Sequence, residues 1–219
     1  IKTLKCLQIH YIKNEKSSLK MEEGIVSSIE ELSLTSVSWK FVHDFLKVER
    51  FPCLKKIHIS SWEMDLEAVL VKLSSFPQLI SLTLMGSFFY TNEQLPLNFE
   101  NLNFLCLGNS QITFDLDLLL SRMPNLIELQ LMGYSVRELK LQNPIGIRYL
   151  TSLENGRLLN RDFINVIKNT PNLVRLTVRE ISFDIQFVLF ASELAYYFKE
   201  LKKHFQNELQ FDIKPNSFP

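Results

Sequence analysis

The phrase LxxLxL returns along the chain at nearly fixed spacing, at Leu4/Leu7/Ile9, Ile29/Leu32/Leu34, Leu54/Ile57/Ile59, Leu79/Leu82/Leu84, Leu102/Leu105/Leu107, Leu126/Leu129/Leu131 and Leu173/Leu176/Val178. The first positions, 4, 29, 54, 79, 102, 126 and 173, are separated by 25, 25, 25, 23, 24 and 47 residues. The last gap is two repeats long, and a degraded copy at Ile147/Leu150 divides it. About eight units of this size cannot each bury an apolar face alone, so they must stack on one another as a solenoid. Such a body offers a long repeated surface rather than a cleft.

Within a unit, the alternation of LxxLxL is the period of a β-strand with its leucines on one side. Stacked in parallel, these strands form one curved sheet on the concave side. Helical spacing follows in several returns, at Trp39/Val42/Phe45/Leu46, Leu66/Val69/Leu70/Leu73, Leu116/Leu119/Leu120/Met123 and Phe163/Val166/Ile167, which predicts helices on the convex side. Four returns end in Phe51-Pro52-Cys53-Leu54, Phe76-Pro77-Gln78-Leu79, Met123-Pro124-Asn125-Leu126 and Thr170-Pro171-Asn172-Leu173. Proline lacks a helix donor and restricts the residue before it, so each is expected to stop a helix just ahead of the next strand.

Two units are irregular. The stretch from Phe88 to Phe99 contains Pro96 and no helical stripe, which predicts an extended return, and Val136/Leu139/Leu141 follows the preceding motif too closely to form its own turn of the coil. The solenoid is thus expected over residues 1–182. Over 183–219, the stripe Phe187, Phe190, Leu194, Phe198, Leu201 and Phe205 predicts a C-terminal capping helix and tail. Its Lys199, Lys202, Lys203 and His204 are interleaved with Glu193, Glu200 and Glu208, so a solvated outer face is a simpler reading than a basic docking patch.

Charge and cysteine usage narrow the partners. With 24 Lys plus Arg against 24 Asp plus Glu, the chain has no net charge to draw it onto nucleic acid or an anionic membrane. Cys6, Cys53 and Cys106 are odd in number and lack paired spacing, and no Asn-x-Ser/Thr acceptor occurs, which together predict an intracellular setting in cytoplasm or nucleus. No apolar run reaches the roughly 20 residues a membrane-spanning helix needs. Because a full motif starts at Leu4 with no capping element ahead of it, an upstream domain is expected beyond Ile1.

Catalytic signatures are lacking. His10, His43, His58 and His204 do not stand at ligand spacing with each other or with a cysteine, and no phosphate loop or dinucleotide fingerprint is present. His58 and Cys106 fall in one sheet column but two repeats, roughly 10 Å, apart at a strand spacing of about 5 Å, too far for a base and its nucleophile. We expect no enzyme activity, no metal and no cofactor.

The outward strand positions give two columns along the concave face. One reads Cys6, Glu31, Lys56, Ser81, Phe104, Glu128, Tyr149 and Arg175; the other reads Gln8, Ser33, His58, Thr83, Cys106, Gln130, Thr151 and Thr177. Aromatic and Arg side chains dominate interface energetics, so Phe104, Tyr149 and Arg175 are the expected anchors for a protein partner, with Lys56, His58 and Glu128 as polar contacts. An exposed aromatic on a sheet is also an ordinary strand former packing on its neighbours. Trp62 and Phe88 to Tyr90 are expected just beyond strand ends.

The segments Met123-Pro124-Asn125-Leu126-Ile127-Glu128-Leu129-Gln130-Leu131 and Thr170-Pro171-Asn172-Leu173-Val174-Arg175-Leu176-Thr177-Val178 resemble the leucine-rich repeats of F-box proteins, whose units run about 25 residues and step into the strand through Pro-x-Leu. The resemblance covers roughly residues 1–182. It implies an α/β leucine-rich-repeat fold and a substrate-recognition or scaffolding role in a ubiquitin ligase adaptor, reaching other ligase subunits through an N-terminal segment upstream of Ile1. An alternative within the same fold is a scaffold subunit of a multiprotein assembly, kinetochore-like or an innate-immune sensor, without a ligase role. The chain departs from the family where Asn or Cys often follows the motif: Ile12, Val37, Trp62, Ser87, Ser110, Tyr134 and Ile181 stand there, so the turns must be satisfied without a buried Asn ladder.

Overall fold

Each motif becomes one rung of a parallel sheet. In the computed structural model, which describes residues 4–10, 28–89, 98–108, 116–132, 147–153, 172, 175–178 and 210–213, the strands are β1 (Cys6–His10), β2 (Glu31–Thr35), β3 (Lys56–Asp65), β4 (Ser81–Phe89), β5 (Phe104–Gly108), β6 (Glu128–Met132), β7 (Tyr149–Leu153), β8 (Arg175–Val178) and β9 (Gln210–Ile213). They form a single nine-stranded sheet in sequence order, every neighbouring pair parallel. Leu7, Leu32, Ile57, Leu82, Leu105, Leu129, Leu150 and Leu176 stand in one register row, and the degraded copy therefore supplies a true rung.

The rungs are locked by a repeated hydrogen-bond device. The Lys5 carbonyl accepts from the successive N–H groups of Glu30 and Glu31, and the carbonyls of Glu30, Lys55, Ile80, Asn103 and Ile127 do the same for the strand that follows. Ahead of four strands the chain makes a four-residue turn in which Leu54, Leu79, Leu102 and Leu126 N–H donate to Phe51, Phe76, Phe99 and Met123 O, at 3.1–3.2 Å. Proline occupies the second position in three of these turns and Glu100 in the fourth.

This corrects the role expected of the prolines. The helices α1 (Trp39–Phe45), α2 (Leu66–Ser74) and α3 (Leu116–Ser121) all end before the turn begins, α1 as far back as seven residues before Pro52. Proline shapes the turn through its fixed φ instead of stopping the helix. At their other ends, α1 and α2 are capped by side chains, with Ser38 accepting from Phe41 N–H and Asp65 from Ala68 N–H. Val42 and Phe45 of α1 and Leu66, Val69, Leu70 and Leu73 of α2 are buried with the leucine face of the sheet in one apolar core. The fourth expected helix at Phe163, the C-terminal capping helix and the Val136/Leu139/Leu141 return lie outside the described residues.

Two strands run longer than the motif. The pairing of β3 with β4 continues to Asp65 opposite Phe89, interrupted by a register shift between Ser61 and Glu63. Trp62 thus stands at a bulge inside β3, and Phe88 and Phe89 inside β4, instead of beyond the strand ends. Gly86 is required here: its φ is +144°, and a Cβ on it would lie 1.7 Å from the Ser61 carbonyl oxygen.

The missing Asn ladder is replaced in two places. The buried Ser61 hydroxyl donates to Val37 O at 2.9 Å, and Ser36, in the left-handed region at φ 54°, gives its N–H to Ser60 O. At the strand-entry turns, Asn101 Nδ2 donates to Pro77 O at 2.8 Å and Asn125 Nδ2 to Glu100 O at 2.6 Å, each tying one turn to the previous one.

Candidate functional site

Opposite the leucine face, the two expected columns form as rows of register partners. The first runs Cys6, Glu31, Lys56, Ser81, Phe104, Glu128, Tyr149, Arg175 and is extended by Gln210; the second runs Gln8, Ser33, His58, Thr83, Cys106, Gln130, Thr151, Thr177 and is extended by Asp212. A third row, one step further along each strand, carries His10, Thr35, Ser60, Met85, Gly108 and Met132. Alternate exposure along β2 and β6 identifies this as the open face: Leu32, Leu34, Leu129 and Leu131 are buried, while Glu31, Ser33, Glu128 and Gln130 are partly exposed.

The expected contacts are spread over two rows and five rungs. Phe104, Glu128 and Tyr149 occupy successive rungs of one row, all half-buried. Arg175 follows on the next rung by its backbone, its side chain lying outside the described residues. Lys56 stands apart, with Ser81 between it and Phe104, and is exposed. His58 lies in the second row, beside Ser33 and Thr83, where burial depresses its pKa and favours the neutral ring. Thr83 separates His58 from Cys106, so the two share no direct contact between rungs.

At the N-terminal end, opposite charges alternate from rung to rung. Glu30 bonds both Lys5 and Lys55, the latter at 2.9 Å, and Lys56 bonds Glu31 at 2.6 Å. The lysine bonds hold the Glu30 carboxyl at about 2, well below its usual range, and the carboxylates in turn raise the pKa of Lys5 and of Lys56.

From β4 onward the face changes character. Met85 lies over Gly108, where a Cβ would come within 2.0 Å of its sulfur, so a larger residue at 108 would displace the flexible thioether. The Cys106 thiol, buried, donates to the Met132 sulfur at 3.5 Å, and burial with the nearby Glu128 charge pushes its pKa up to about 11. Gln130 Nε2 donates to Glu128 Oε1 at 2.7 Å. Among the described residues, Glu128 has no Lys or Arg partner.

Several of these features escaped the sequence reading. Lys5, Glu30 and Lys55 stand 25 residues apart with alternating sign, a signal that was present in the repeat. The third row was equally accessible as the residue after each motif. The alternation Leu209-Gln210-Phe211-Asp212-Ile213 marks β9, which places Phe211 and Ile213 opposite Leu176 and Val178.

A shallow depression of about 400 Å³ is lined by Glu100, Asn101, Asn103, Pro124, Asn125, Leu126 and Ile127 at the strand-entry turns, away from the three rows. Among the described residues no group of three or more His, Cys, Asp or Glu side chains could hold a metal ion, and no helix is long and apolar enough to cross a membrane. No family model matches the chain, and no curated protein or solved structure is significantly similar to it.

Proposed function

We propose that the chain is a leucine-rich-repeat solenoid whose open sheet face docks a protein partner, and that it serves as the substrate-recognition or scaffolding repeats of an F-box-like ubiquitin ligase adaptor. The observation that carries the docking reading is the row Phe104, Glu128, Tyr149, where two aromatics and a carboxylate stand on three successive rungs, half-exposed on the side away from the leucines. Large aromatic side chains gain most from burial against a partner, and a rigid parallel sheet presents them at little entropic cost. The steps of about 25 residues and the Pro-Asn-Leu turns support the repeat class. A binding role, with no catalytic step, agrees with rungs that keep His58 and Cys106 apart.

The test is affinity purification from cells with the wild-type chain and with Phe104→Ala/Tyr149→Ala. Recovery of a partner together with cullin-based ligase subunits by the full-length protein, and loss of the partner with the double variant, is the expected result. Undiminished partner recovery by the double variant removes the docking role from this row. A stoichiometric complex with no ligase component replaces the adaptor role by that of a fixed scaffold subunit.

A further inference from the structure

We infer that the row Phe104, Glu128, Tyr149 is a clamp for a single arginine side chain on the partner, the carboxylate meeting the guanidinium between two aromatic rings. This rests on the docking role proposed for the open face and names the chemistry that it selects.

The register sets the spacing. Glu128 pairs with Phe104 on one side and with Tyr149 on the other, so the two aromatics flank the carboxylate and stand two strand spacings, about 10 Å, apart. A cation is attracted to a ring face from within about 6 Å of its centroid, so one placed above Glu128 lies within reach of both rings. Arginine fits better than lysine, because its flat guanidinium can stack on aromatic faces while its N–H fork meets a carboxylate.

Charge on the rest of the face points the same way. Glu31, in the same row, is bonded to Lys56 across a rung, and Glu30 just before it to Lys5 and Lys55, so their charge is already answered within the chain. Glu128 is bonded by the neutral amide of Gln130 on one oxygen, and among the described residues no cation pairs with it. Its neighbour in the second row, Cys106, is a buried thiol that remains protonated at neutral pH and adds no competing charge. A half-buried carboxylate between two aromatics is costly to cover with an apolar partner and favourable to cover with a cation.

The experiment pans a random peptide library against the full chain and measures the recovered peptides by titration calorimetry. Peptides with arginine at one fixed position are expected, their binding weakened about tenfold or more by Glu128→Gln, by Phe104→Ala and by replacing that arginine with citrulline, while Phe104→Tyr restores it. Thermal unfolding of Glu128→Gln like that of the wild type keeps a folding defect from imitating the result. Peptides that need Phe104 but lack arginine, or that bind equally well as citrulline forms or to Glu128→Gln, overturn the clamp and leave the docking face standing. Peptides indifferent to both Phe104→Ala and Tyr149→Ala overturn both.

Discussion

The first three rungs and the next four share one backbone plan yet present different chemistry on the open face. From β1 to β3, Lys5, Glu30 and Lys55 bond in alternation and Glu31 meets Lys56, so the chain answers its own charges. From β5 to β7, the row that holds Glu31 and Lys56 carries Phe104, Glu128 and Tyr149, with Met85, Cys106 and Met132 beside it, and the carboxylate has only an amide bonded to it among the described residues. Behind both, from β2 to β6, leucine and isoleucine side chains are buried on every rung. A repeat can therefore hold its fold constant on one side while its other side is divided between self-contained structure and a surface with something left to bind.

The strongest test of that division is a pair of core substitutions. Leu34→Ala in β2 and Leu105→Ala in β5, both at positions wholly shielded from solvent, are each expected to cost about 2–5 kcal/mol, measured by chemical denaturation. A large difference between them would mean that the two stretches differ in packing as well as in surface. Next is Gly86→Ala, at the boundary between the stretches. Its backbone conformation alone costs an alanine about 1–3 kcal/mol, and the Ser61 carbonyl leaves the methyl no space. Denaturation should show the loss, while a variant as stable as the wild type would remove the bulge as the joint between the two.

Cysteine labelling compares the two stretches directly, since Cys6 and Cys106 both lie on the open face, one exposed and the other buried. A thiol raised from 9.0 to about 11 has roughly a hundredfold less thiolate at neutral pH, so iodoacetamide should reach Cys106 far more slowly than an ordinary thiol and after Cys6. Mass spectrometry of a labelling time course gives the order, and equal rates would contradict the buried thiol. The smallest effect is the acid response of the charged lattice. Because the Glu30 carboxyl is lowered from 4.5 to about 2, its stabilisation is present above about 4.5 and is lost as the pH falls toward about 2. Glu30→Gln should flatten that part of the stability profile while leaving stability per se only slightly changed, as exposed ion pairs contribute little.

The strand register was legible because a side-chain period of two and a repeat near 25 residues together leave one alignment that puts the motif leucines of every rung on one face. That logic places even the weak rung at Ile147 and Leu150, and it puts Phe104, Glu128 and Tyr149 in one row. It did not reach Trp62, because a bulge is created by the fit of Ser61 against Gly86 and leaves no mark on hydrophobic periodicity. The prolines misled about helix ends, since a residue that excludes helix geometry equally suits the second position of a turn. The lysine–glutamate alternation was legible by the same register, since residues 25 apart become neighbours on successive rungs, but the leucine period alone does not pick it out.

The unbroken strand order has a mechanical meaning. Each described strand lies beside its predecessor in sequence, so each junction closes only the stretch of chain between two rungs. Pulled from its N-terminal end, such a sheet can peel one rung at a time, each early step freeing 25 residues, or roughly 85 Å of extended chain at about 3.4 Å per residue. Tension would then reach β2 before β3, and the lysine–glutamate lattice would part rung by rung while the aromatic row further along was still in place.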